Sequence, residues 1–87
     1  MQITMYTTSW CPSCRAAKTY LVGKGIPFTA VDIETTPGAA ELVMKEARGY
    51  RTVPTIIIEA NGERQVIVDW DRRKLEGVLN KLTPKEG

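Results

Sequence analysis

Histidine is absent from this 87-residue chain, and cysteine occurs only twice, at Cys11 and Cys14. A tetrahedral zinc site takes four ligands, so a zinc centre here would need carboxylates or a second chain. No resident metal or cofactor is expected. Long apolar runs are missing too. They stay as short as Ile56-Ile57-Ile58, against the ~20 residues that span a bilayer. The start, Met1-Gln2-Ile3-Thr4-Met5-Tyr6, lacks the basic stretch and long apolar centre of a secretory signal. A cytosolic protein without a membrane partner is expected. Lys and Arg exceed Asp and Glu by only two, 12 against 10, and are scattered, which argues against a nucleic-acid partner.

What is present is ordinary for a globular chain: 43% apolar and 25% charged residues. No repeat, low-complexity block or linker interrupts it. One domain over residues 1–87 is expected, with a frayed tail at 83–87, and nothing demands more than a monomer. Two cysteines in a reducing compartment point away from a permanent disulfide and toward a transient, catalytic one.

Gln2 to Tyr6, with Ile3 and Met5 alternating with polar residues, reads as a strand, and Thr7 to Trp10 as a loop. Pro12 suits the first turn of a helix, where a missing N–H costs nothing. Ala16, Ala17, Tyr20 and Leu21 keep the helical period until Gly23 and Gly25, and Pro27 prevents continuation. Phe28 to Ile33 reads as a strand, Ala39 to Arg48 as a helix ended by Gly49, and Thr55 to Glu59 as a β-branched strand. Asn61-Gly62 is a hairpin signal, returning Arg64 to Val68 antiparallel. Asp71 is a candidate N-cap for a last helix through Leu82. The order βαβαββα, with a parallel first pair, gives an α/β thioredoxin-like fold: a four-stranded mixed sheet flanked by three helices.

A disulfide exchanger needs an ionised thiol, a second thiol within reach and a held substrate sulfur. Cys11 stands at the cap of the first helix, where unpaired N–H groups and the positive helix end favour a thiolate. Arg15 adds positive potential, and no acid lies between Thr7 and Lys24. Cys14, one turn inward, reaches the Cys11 sulfur. Cys11 is therefore expected as the exposed, ionised attacker and Cys14 as the resolving thiol, with Pro12 stiffening the junction. Val53-Pro54 precedes a strand, where proline belongs at an edge or turn. Beside a C-x-x-C, a cis bond there is expected, presenting the Val53 backbone to an extended substrate. Trp10 reads equally as a substrate face and a core aromatic. Trp70 reads as core, Met5 and Met44 as packing, and Lys74, Lys81 and Lys85 as a solvated face. Asp69, Asp71 and Arg72 read first as a helix start, with Asp71 and Arg72 as further candidates for gripping a ligand's charged groups.

The wording Tyr6-Thr7-Thr8-Ser9-Trp10-Cys11-Pro12-Ser13-Cys14, then Val31-Asp32-Ile33 and Arg51-Thr52-Val53-Pro54-Thr55, resembles the glutaredoxin family, most of all its mycoredoxin branch. The resemblance covers about Gln2 to Leu82. It implies that Cys11 attacks the mixed disulfide of an S-thiolated protein with a low-molecular-weight thiol, that a second small thiol and its reductase restore Cys11, and that Cys14 is needed only for protein disulfides. It implies binding of the small thiol by Arg51, Thr52, the Val53 backbone and a cis Pro54. Glutathione-type members usually carry Gly-Gly before the last helix, where this chain has Val68-Asp69-Trp70-Asp71, and a basic residue before the redox motif, where it has Thr7 and Thr8. Glutathione has two carboxylates and mycothiol, a sugar-based thiol, lacks them. Mycothiol is thus the favoured co-substrate, with glutathione and bacillithiol as the others. Two other readings accompany this one: a redoxin reduced by thioredoxin reductase that feeds ribonucleotide reductase, and a dimer sharing an iron–sulfur cluster through Cys11.

Overall fold

The computed structural model describes residues 2–50, 52–60 and 62–82. Arg51, Asn61 and the 83–87 tail, each named above, lie outside them. Seven elements follow one another: β1 (Gln2–Thr7), α1 (Pro12–Gly23), β2 (Thr29–Asp32), α2 (Ala39–Glu46), β3 (Thr55–Ala60), β4 (Glu63–Val68) and α3 (Arg72–Leu82). The sheet order is β2-β1-β3-β4. β1 runs parallel to β2 and antiparallel to β3, and β3 is antiparallel to β4. This is the expected four-stranded mixed sheet with three helices.

Strand alternation decides which helix covers which face. Ile3, Met5, Ile56, Ile58 and Ile67 meet Ala17 and Leu21 of α1 and Leu75 and Leu79 of α3 in the larger core. Ile33 joins Ala39, Ala40 and Val43 of α2 in a smaller core, with Tyr6, Val31 and Val53 packed against it. Each helix supplies its apolar residues at the helical period, as with Ala17 and Leu21.

Element ends differ from the sequence reading in instructive places. β1 runs on through Thr7 because Thr7 still pairs with Asp32. α1 stops as its glycines imply: Gly25 adopts φ 69°, and the N–H groups of Lys24 and Ile26 close on Tyr20 and Leu21. α2 ends at Glu46, short of the expected Arg48. Arg48 itself turns left-handed, φ 58°, ahead of Gly49 at 91°, and the Gly49 N–H reaches back to the Met44 carbonyl at 2.7 Å. The hairpin forms as expected, with Gly62 at φ 79° and Ala60 opposite Glu63. Asp71 caps α3: its Oδ1 accepts from the N–H groups of Arg73 and Lys74, both at 3.1 Å.

α3 carries an interior glycine, Gly77, at which an added Cβ would meet nothing within 4 Å. Glycine inside a helix costs about 1 kcal/mol relative to alanine. Trp70 packs as expected, its ring 5.8 Å from that of Tyr20, and Met5 is fully buried. No helix among the described residues is long and apolar enough to cross a membrane.

Candidate active site

The end of β1 delivers the chain to Cys11, which is the N-cap of α1 with extended backbone, and Pro12 occupies the first turn. N-caps are usually Ser, Thr, Asp or Asn because a side-chain oxygen satisfies an orphan first-turn N–H. Here sulfur takes that part: the Cys14 N–H donates to Cys11 Sγ at 3.2 Å. Such a donor stabilises negative charge on the sulfur, and no acidic residue stands in the first turn to oppose it. The Cys11 thiol also donates to the Val53 carbonyl at 3.7 Å. The sulfur thus accepts from one backbone group and donates to another.

That second contact corrects one expectation. Cys11 is only 5% exposed, not the open thiol foreseen. Its side chain is folded back onto the first turn and covered by the loop that carries Val53 and Pro54. The Val53–Pro54 peptide is cis, as expected. The loop is held from both sides: the Thr55 hydroxyl donates to the Thr52 carbonyl at 2.7 Å, and the Asp69 N–H donates to the Pro54 carbonyl at 2.9 Å.

Cys14 lies deeper, 1% exposed. Burial pushes its thiol above the ordinary range, and the hydrogen bond with Cys11 adds to the rise. The Thr7 hydroxyl and the Thr8 backbone pull in the other direction without cancelling it. Thr7 and Thr8, read from sequence as loop, are buried site residues. The signal for Thr7 was available in the β1 alternation, which continues one residue past Tyr6. Both cysteines are free thiols here.

The remaining candidates separate into two groups. Trp10 stands 66% exposed beside Cys11, and Tyr50, which sequence reasoning passed over, is 72% exposed just ahead of the Thr52–Pro54 loop. Arg15 is exposed on α1. Asp71 and Arg72 are engaged elsewhere: the Asp71 carboxylate in the α3 cap, and the Arg72 guanidinium over the Tyr20 ring at 5.9 Å. Asp69 adopts φ 72°, a conformation glycine takes without strain, and folds its own carboxylate onto the Trp70 N–H at 2.7 Å. The described residues contain no group of three or more His, Cys, Asp or Glu that could hold a metal ion.

The family model described as Glutaredoxin matches residues 3–64, taking in both cysteines and the cis-proline loop. The chain belongs to the glutaredoxin family. Among its relatives is an inferred glutaredoxin of Mycobacterium tuberculosis strain H37Rv, 48% identical over 54 residues, 62% of this chain. The match spans 64% of that relative's length. The glutaredoxin-like protein NrdH of Escherichia coli K12 is 35% identical over 57 residues, 66% of this chain and 68% of its own. The solved structure of E. coli NrdH-redoxin, described for its thioredoxin-like activity profile, superposes with a TM-score of 0.71 at 27% identity, covering 99% of this chain and all of that one.

Proposed function

We propose that this protein is a cytosolic glutaredoxin-type thiol–disulfide oxidoreductase that reduces mixed disulfides between proteins and a low-molecular-weight thiol, with mycothiol as the thiol. The arrangement of Cys11 as a sulfur N-cap carries the activity: the attacking sulfur is held on a backbone N–H, while Cys14 is buried and kept protonated. Cys11 thiolate attacks the small-thiol sulfur of the mixed disulfide. A Cys11–small-thiol disulfide forms, and the protein thiolate leaves and takes up a proton. A second small thiol then attacks that disulfide, releasing Cys11 and the oxidised small-thiol dimer, which its own reductase restores. On a protein disulfide, Cys14 loses its proton and displaces the protein from Cys11, leaving a Cys11–Cys14 disulfide.

The choice of mycothiol is supported by the cap of α3. The first-turn N–H groups that would receive a ligand carboxylate already bind Asp71, and the Asp69 carboxylate stands two residues before it. Two fixed negative groups disfavour the two carboxylates of glutathione and leave an uncharged sugar thiol unpenalised. A single mixed-disulfide substrate prepared with mycothiol, bacillithiol or glutathione tests the reading. Turnover is expected to be fastest with mycothiol. Cys11→Ser is expected to abolish it with every thiol, and Cys14→Ser to retain it when the small thiol is supplied. Retained turnover in Cys11→Ser would end the assignment of roles.

The likeness to NrdH, over 66% of the chain in sequence and 99% in structure, supports a second reading, a redoxin reduced by thioredoxin reductase that feeds ribonucleotide reductase. Turnover with thioredoxin reductase and none with small thiols would select it.

A further inference from the structure

An unassigned concavity lies away from Cys11. β4 is an edge strand of the sheet, and α3 lies alongside it. Between them runs an open groove of about 430 Å³ lined by Gln65, Arg73, Lys74, Gly77, Val78 and Lys81. Three of its lining residues are cations and none is an acid. Val78 leans on the core beneath, while Arg73, Lys74 and Lys81 are exposed along the groove.

Gly77 makes this groove more than a surface furrow. Helix interiors disfavour glycine, and nothing inside the domain would collide with a side chain there. The fold does not require the glycine. Its place on the groove wall gives it another use, because the missing side chain lets a second backbone come close. Opposite that gap, β4 offers the outer edge of the sheet. An edge strand is a ready template for another strand, and strand addition draws affinity from main-chain hydrogen bonds and selectivity from alternate side chains.

We propose that the β4–α3 groove binds an extended acidic segment of a partner protein as a fifth strand on β4, its acidic side chains meeting Arg73, Lys74 and Lys81 and its backbone passing Gly77. The contact would hold a protein partner by a surface separate from Cys11, leaving the thiol free to work on it. This does not depend on which small thiol the protein uses.

The test is an amide chemical-shift titration of the full chain with the capped peptide Val-Glu-Val-Glu-Val-Glu, its lysine counterpart and inorganic phosphate. The acidic peptide is expected to move the amides of Gln65–Val68 and Arg73–Lys81 while leaving Cys11 and Cys14 unmoved, and to weaken with salt. A Lys74→Glu, Lys81→Glu double variant is expected to lose about tenfold in affinity. Gly77→Ala is expected to bind severalfold more weakly while melting about 4–8 °C higher, and both variants to keep redox turnover. Equal binding of the lysine peptide overturns the proposal. So does reproduction of the whole shift pattern by phosphate alone, undiminished binding in Gly77→Ala, or the absence of shifts along β4.

Discussion

Cys14 is held protonated by burial in the native state, and that preference must appear in the stability of the reduced protein. Above the ordinary thiol range the unfolded chain has released the Cys14 proton and the native chain has not. The native state then binds more protons, so stability falls as pH rises through that range and levels off once the native thiol also ionises. Urea titrations of the reduced protein across alkaline pH should show this decline, and Cys14→Ser should flatten it. The same proton gives the two reaction routes different pH profiles. Resolution by Cys14 should accelerate into the alkaline range, whereas turnover that uses Cys11 alone should lack that component. At this scale the sequence was informative about where the two cysteines lie, at the cap and first turn of α1, and less so about their environment. The burial of Cys11 depends on Val53, 42 residues away, and no local pattern encodes that approach.

α3 begins on a single carboxylate. Replacing Asp71 by Ala strips two N–H groups of their acceptor and should cost about 1 kcal/mol, within a range of about 0.5–2, read as a lowered urea midpoint at unchanged slope. It also vacates the donors that a ligand carboxylate needs. Turnover with glutathione should therefore improve in KM relative to mycothiol, although the protein is less stable. Opposite movement of stability and glutathione use separates the two roles of one residue. Elements as such were legible: the alternation of Ile3 and Met5, the β-branched Ile56 to Ile58, and the Asn61-Gly62 turn each carry their own period or breaker. The misplaced ends have separate causes. β1 gains Thr7 from a pairing with Asp32 on another strand, and α2 closes before its glycine because Arg48 itself takes a positive φ, which its residue type does not announce.

One sheet separates two unequal cores, and the larger holds the molecule together. Leu75 is fully buried at the junction of α3 with the sheet. Leu75→Ala should cost about 2–5 kcal/mol, a large part of the roughly 5–15 kcal/mol typical of a domain. Thermal melting should show it as the steepest loss among single α3 variants. The Cys11 machinery should survive that change wherever the chain stays folded, because Cys11 and Cys14 are set by β1 and α1, and the Thr52–Pro54 loop by β3 and by Asp69, which precedes α3. The architecture as a whole was readable because the helix–strand order leaves one right-handed crossover for the parallel pair. The pairing of the Pro54 loop with Asp69 was not, since it joins two turns that share no sequence pattern.

The two tryptophans occupy opposite circumstances. Trp10 projects into solvent next to Cys11 in the chain, and Trp70 packs its ring on Tyr20 of α1 just ahead of α3. Their emission should differ in wavelength and answer different questions. Trp10 dims when a disulfide forms beside it, and Trp70 shifts red when the helices part. A Trp70→Phe variant becomes a self-reporting redox probe and a Trp10→Phe variant a self-reporting folding probe, so electron flow and unfolding can be followed optically without a dye.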